Sequence, residues 1–140
     1  FTLPKKQTRK LVFIAGGIGI TPFRSMIKYL MDRQEKRDLV LLYANKAAEE
    51  IAYQDLFAKT QKQLGIKTVF ILSDKEHLPA NWKGRVGRID EQMLREEVPD
   101  YKERTFYLSG PIAMVDSYKN LLSSLGIKGN HIVTDYFPGY

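Results

Sequence analysis

Cysteine is absent from the 140 residues, and histidine occurs only twice. Without thiols there are no disulfides, thiolate metal ligands or cysteine nucleophile, and any compartment is compatible. Redox chemistry in such a chain needs a bound cofactor. His77 and His131 lie far apart, with no cysteine or carboxylate spacing of metal-ligand type. Each reads as ordinary surface or edge structure, and no metal site is expected. Long apolar runs are missing too. The longest, Leu11 to Ile20, is ten residues with three glycines, against the roughly 20 residues a membrane helix needs. No membrane span is expected in this chain.

Two phosphate-binding signatures are also missing. There is no G-x-x-x-x-G-K-[ST] segment, which excludes a P-loop nucleoside triphosphatase. Gly17-x-Gly19 is followed by Pro22 where the dinucleotide fingerprint has a third glycine, and Ala44-Asn45-Lys46 offers no acid to a ribose. An ordinary Rossmann dehydrogenase is thereby excluded.

What is present is an ordinary globular composition, 44% hydrophobic and 27% charged, of one domain's length. Lys and Arg number 22 against 16 Asp and Glu, a net charge of +6. The densest basic stretch, Lys5 to Lys10, resembles the start of a signal peptide, but no small-residue cleavage site follows it. It lacks the motifs and aromatic interleaving of nucleic-acid binders, so no nucleic-acid partner is expected. The excess equally suits an anionic dinucleotide or an acidic electron-transfer partner. The first residue is Phe1 rather than Met, so a fragment or processed product is expected.

Short apolar runs alternate with 3.6-period segments, the pattern of a parallel sheet with crossover helices. Strands are expected at Leu11–Ala15, Leu39–Ala44, Ile66–Leu72, Thr105–Leu108 and Ile132–Asp135, mostly as continuous runs that suit burial on both faces. A helix is expected from Pro22 to about Arg33, with Thr21 as its N-cap and Phe23, Met26, Ile27 and Leu30 on one face. A second carries Tyr53, Leu56, Phe57 and Leu64 and ends at Gly65. A third follows Asp90, and a fourth opens at Gly110-Pro111 with Met114, Tyr118, Leu121, Leu122 and Leu125 on one stripe. The fold class is therefore α/β: a doubly wound, Rossmann-like, five-stranded parallel sheet in the order 3-2-1-4-5, with helices on both faces. Between Ser73 and Arg88 lies one long connection, expected to be functional.

In that order the first and fourth strands meet where the winding reverses, and ligands bind in the crevice at such a point. Its two lips are Ala15-Gly16-Gly17-Ile18-Gly19-Ile20-Thr21-Pro22 and Ser109-Gly110-Pro111, both opening helices. A glycine turn feeding a helix N-terminus lets backbone N–H groups approach a pyrophosphate. The alternative is that Gly16, Gly17 and Gly19 only permit a tight turn.

The segment Leu11 to Pro22 resembles the pyridine-nucleotide motif of the ferredoxin-NADP reductase superfamily. Leu42-Tyr43-Ala44-Asn45 followed by the Tyr53 helix, Ser73-Asp74, Trp82 to Arg88, Tyr107 to Pro111 and the terminal Asp135 to Tyr140 resemble that family in the same order. The chain looks like its C-terminal NAD(P)-binding domain, residues 11–140, with residues 1–10 as a linker or the tail of a flavin-binding barrel. No R-x-Y-[ST] flavin segment is present. The resemblance therefore implies FAD or FMN held mainly by a preceding domain, hydride passed to it from the nicotinamide, and an inactive isolated domain. It implies onward electron transfer to a redox protein or small molecule, in the cytoplasm or on the cytoplasmic face of a membrane.

Residue by residue, the resemblance places Gly16, Gly17, Gly19, Thr21 and Pro22 along the nicotinamide and pyrophosphate path, with Thr21 also facing the flavin. Gly110, Pro111 and Met114 form the second wall, and Asn45 belongs to the cofactor site. Ser109 stands where many relatives carry Cys beside the reacting nicotinamide carbon, and a hydroxyl there can still position the ring. Phe137, with Tyr140 as second choice, is implied to stack on the flavin. Ser73-Asp74 stands where NADP-specific relatives carry Ser-Arg, so NADH is expected over NADPH. Trp82 reads as a packing anchor outside the site. A different class of reading is a nonenzymatic nucleotide-binding or interaction domain that keeps the fold.

Overall fold

In the computed structural model, which describes residues 1–137 and Phe137 by its backbone alone, six strands form one parallel sheet. They are β1 (Leu11–Gly16), β2 (Leu39–Asn45), β3 (Lys67–Leu72), β4 (Arg85–Val86), β5 (Thr105–Pro111) and β6 (Ile132–Phe137), in the order β4-β3-β2-β1-β5-β6. Five follow the expected winding; β4 corrects the expectation of a five-stranded sheet. Its two residues pair with Ile71 and Leu72 inside the connection read as a loop. Two residues are too few to show a period-2 pattern. Gly84 lets this segment close on β3, because a β-carbon there would stand 2.5 Å from the Phe70 carbonyl oxygen.

Four helices cover the sheet: α1 (Ile20–Arg33), α2 (Gln54–Leu64), α3 (Glu91–Glu97) and α4 (Ile112–Ser124). Alternate residues of β1 serve opposite faces. Leu11, Phe13 and Ala15 pack with Phe23, Ile27 and Leu30 of α1 and Phe57 of α2, while Val12 and Ile14 pack with Met93 and Leu94 of α3 and Val115, Tyr118 and Leu122 of α4. Burying each such side chain stabilises by about 1.5–3 kcal/mol, and β1 is buried throughout, which explains its unbroken apolar run. Phe13 and Phe23 stack at 4.3 Å between ring centroids. The expected α4 stripe is corrected at one position: Val115 is fully buried, and Met114, Leu121 and Leu125 are only partly so.

The start of α1 also differs. A 3-10 turn, Gly17–Gly19, runs directly into α1, and Gly19 rather than Thr21 is its N-cap. The Thr21 hydroxyl donates to the Ile18 carbonyl at 3.0 Å and so caps no N–H. Pro22 is accommodated in the first turn, whose N–H groups have no intrahelical acceptor in any case. Elsewhere the local signals hold. Asp90 caps α3 by accepting from the Met93 N–H at 2.8 Å, and Gly65 closes α2 at φ +68°.

At the amino-terminal edge of the sheet, the buried Arg104 guanidinium donates to the Leu11 carbonyl, to Asp38 Oδ1 at 2.7 Å and to Asp100 Oδ1 at 2.8 Å. Those bonds tie together the starts of β1, β2 and β5. Arg104 first, and Lys10 with it, holds the Asp100 carboxyl at about 2, below its ordinary 3.8. Nearby, Phe1 packs on Phe23 and Tyr107, and the Tyr107 hydroxyl donates to the Thr2 carbonyl at 2.7 Å.

Candidate functional site

At the opposite edge, β1 and β5 pair side by side, with Ala15 level with Ser109. Four strands run on past the ends that hydrophobicity indicates, to Gly16, Asn45, Pro111 and Phe137. Of the added residues, Gly16, Asn45 and Pro111 line the crevice. Alternation along a strand turns Gly16 and Gly110 toward α4, and Ser109 and Asn45 toward α1 and α2.

The glycines divide by physical cause. A β-carbon on Gly16 would fall within the contact shell of the Met114 sulfur and 3.0 Å from its methyl carbon. One on Gly110 would stand 2.6 Å from the same methyl. Met114 thus fills the space that two neighbouring strands leave open. Gly19 presses on β5: its β-carbon would collide with the Ser109 carbonyl and stand 2.8 Å from the Gly110 α-carbon. Gly17 differs from all three. Its φ of +55° requires a glycine-like residue, and a β-carbon there would meet nothing within 4 Å. For Gly19 the tight-turn explanation is sufficient; for Gly17 the turn accounts for the conformation, and the space beside it stays open.

Two adjoining clefts meet at Gly17, Asn45 and Glu50. One, of about 410 Å³, adds Gly16, Ser73, Pro111 and Met114, together with Lys46, Arg88 and Tyr118. The other, of about 330 Å³, adds Ile18, Thr21, Tyr43 and Tyr53. Wider hollows of about 570 and 660 Å³ lie beside the Phe1–Lys5 segment and beside α2, away from both glycine turns. Width alone does not mark a site; convergence of polar groups does.

Among the described residues, only Arg24, Asn45, Thr68 and Ser109 carry buried side-chain polar atoms with no hydrogen-bond partner. Of these four, Asn45 lines both clefts, and Ser109 lies at the reversal point without lining either. Ser109 is fully buried with its Oγ unpaired, and Asn45 is 7% exposed with both amide atoms unpaired. Such groups normally find partners, and at Asn45, where the two clefts meet, a polar ligand suits that need. The N-terminus of the 14-residue α1 beside Gly17 favours an anion there. The residues fit the diphosphate and polar ring substituents of a dinucleotide.

Some sequence-derived candidates fall elsewhere. Gly19, Ser109 and Gly110 are buried behind the crevice and line neither cleft, and Pro22 sits in the first turn of α1. Asp74 lies one residue past the cleft-lining Ser73 and lines neither cleft. Its Oδ2 pairs with His77 Nδ1 at 2.9 Å, which with the Glu76 N–H holds its carboxyl below the ordinary range. The exposed His77 thus has a carboxylate partner three residues upstream. Trp82 donates to the Arg85 carbonyl at 3.1 Å, an anchoring role. The Phe137 side chain and Tyr140 lie outside the described residues. No cluster of potential metal ligands and no helix long and apolar enough to cross a membrane occurs among the described residues. Lys46, Glu50, Arg88 and Tyr118 line the cleft without having been expected as site residues. Arg88 follows the two-residue β4, and Glu50 is tied to the chain by accepting from the Ala47 N–H at 3.0 Å.

A parallel sheet whose reversal point is flanked by two glycine turns defines a nucleotide-binding domain of the doubly wound class. Residues 13–120 match the oxidoreductase NAD-binding domain family, and the chain belongs to it. A flavohemoprotein of Oceanobacillus iheyensis is 31% identical over 140 residues, covering 98% of this chain and 33% of that protein. A glycine betaine monooxygenase reductase subunit of Pseudomonas aeruginosa is 27% identical over 117 residues, covering 84% of this chain and 32% of that one. The chain thus spans about a third of the length of these curated relatives. The FAD/NAD-binding domain of a Vibrio cholerae nitric oxide dioxygenase superposes with a TM-score of 0.82 at 23% identity, covering 98% of this chain and 54% of that chain. An Amycolatopsis cytochrome P450 reductase does so at 0.80 and 24%, covering 96% and 40%. These two likenesses establish the fold.

Proposed function

We propose that this domain holds NADH and presents its nicotinamide to a flavin, FAD or FMN, carried mainly by another domain of the parent protein. The carrying observation is the pair of buried, partnerless groups, Ser109 Oγ and the Asn45 amide, set between two glycine turns at the reversal point of the sheet. The relatives' descriptions as flavohemoproteins and a reductase subunit support the flavin. When both cofactors are bound, they supply the hydride chemistry, and the protein's share is orientation and electrostatics. The Gly17 turn and the α1 N-terminus hold the diphosphate. Gly16, Pro111 and Met114 wall the nucleotide on the α4 side. Ser109 and Thr21 position the nicotinamide, and Phe137 stacks on the flavin. Ser73 and Asp74 receive the adenosine ribose, where the Asp74 carboxylate accepts from free hydroxyls and repels a 2′-phosphate. NADH is therefore preferred over NADPH, and a redox protein or small molecule takes the electrons onward. Calorimetric titration of NADH into the chain tests the reading. Saturable binding that fails on Asn45→Leu at unchanged melting temperature supports it, and no binding at millimolar NADH overturns it.

A further inference from the structure

Four methionines are present, and they differ in accessibility. Met26 and Met93 are buried at 8% and 5% exposure, whereas Met31 and Met114 are partly exposed. Met114 alone lines the cleft proposed to take the dinucleotide, and its chemistry matters to binding only where that function holds. Its sulfur lies directly against the Gly16 α-carbon, and its methyl fills the place of a Gly110 side chain. Both strands lack a β-carbon where the thioether packs.

We propose that Met114 is an oxidation site, and that its conversion to the sulfoxide closes the dinucleotide cleft. The sulfur packs against two strand backbones on one side, and the residue lines the cleft on the other. On the strand side there is no room for an added oxygen, because the Gly16 and Gly110 positions are already at contact. Either the oxygen enters the cleft, or the enlarged, polar side chain swings off the glycines into it. Both outcomes take space from the ligand, and both convert an apolar wall into a polar one.

The step balances with a peroxide as oxidant. The peroxide O–O bond breaks, one oxygen forms the S–O bond, the sulfur gives up two electrons, and the other oxygen leaves as water. Methionine sulfoxide reductases, one for each sulfoxide epimer, reverse it.

The test uses this chain, hydrogen peroxide and NADH. Trypsin leaves Met114 in the peptide Thr105–Lys119, separate from the peptides that hold Met26, Met31 and Met93, so mass spectrometry reads each methionine independently. The expected result is sulfoxide at Met114, at least a tenfold weaker NADH Kd with an unchanged circular dichroism spectrum, and recovery after both reductases. Met114→Leu, whatever its starting Kd, is expected to show the same Kd before and after peroxide, while Met31→Leu loses affinity as the parent does. Failure of the untreated chain to bind NADH defeats the underlying functional reading instead. The proposal is overturned if Met114 stays unoxidised, if its sulfoxide leaves the Kd unchanged, or if Met114→Leu loses binding to peroxide as well.

Discussion

Gly17 and Gly19 stand two residues apart in one turn, and the structure assigns them opposite sensitivities. Alanine at 19 drives a methyl group into the Ser109 carbonyl, with the Ser109 carbonyl carbon at 2.5 Å and the Gly110 α-carbon at 2.8 Å. Those atoms are backbone in a strand paired on both sides and cannot rotate away, so the start of α1 must move. Overpacking of this kind costs about 3 kcal/mol, a fall in Tm of roughly 10 °C for a domain this size. Position 17 behaves otherwise. Asparagine tolerates the left-handed conformation at about 1 kcal/mol, and its side chain enters space free of protein atoms. That space is where a diphosphate would approach the N–H groups. Gly17→Asn should therefore lower Tm by no more than roughly 4 °C and weaken NADH at least tenfold, equivalent to about 1.4 kcal/mol. Gly17→Val weakens binding as well, with added backbone strain from its branched side chain. Circular dichroism melting and calorimetry on the same preparations give both quantities. Unchanged NADH affinity in Gly17→Asn would refute the diphosphate assignment, and a wild-type Tm in Gly19→Ala would refute the packing argument.

Asp74→Arg should reverse the cofactor order, and tighter NADPH binding by the unmodified chain at fixed ionic strength would sink the Asp74 assignment. The domain alone should purify colourless and reduce no dye with NADH; a yellow preparation with stoichiometric flavin would count against a flavin site held elsewhere. Because Asp100 sits at about 2 when folded against an ordinary 3.8, its contribution of about 2 kcal/mol is complete above roughly pH 4 and is lost as pH falls toward 2. Asp100→Asn should flatten the denaturant midpoint over that window, and an undiminished slope would place the acid sensitivity elsewhere. Arg104→Leu removes the donor shared by Asp38, Asp100 and the Leu11 carbonyl while Lys10 stays on Asp100, and should cost about 2 kcal/mol, read as a shift of the urea midpoint.

The winding of the sheet was legible because burial on both faces writes itself as continuous apolar runs, as at Leu11–Ala15 and Leu39–Ala44. The strand ends were not. Gly16, Asn45, Gly110 and Pro111 continue their strands by hydrogen bonding at an edge where burial no longer selects apolar residues, and β4 is shorter than any periodicity. Thr21 misled for a related reason. Threonine before proline is the composition of a capped helix start, yet a 3-10 turn had already begun at Gly17 and left Thr21 inside the helix.

The candidate site was legible as glycine turns and illegible as a division of labour among them. Four glycines of one composition serve three causes: Gly16 and Gly110 make room for a sulfur, Gly19 for a backbone crossing, and Gly17 for a dihedral angle beside open space. No spacing rule separates these, because each depends on what another element brings within a few ångströms. The partnerless groups have the same origin. Asn45 and Ser109 stand out in sequence only through the family resemblance, and the physical ground appears when burial removes water without supplying a protein partner. A ligand site of this type is therefore marked less by the residues that line it than by the hydrogen bonds the fold leaves unmade at the reversal of its sheet.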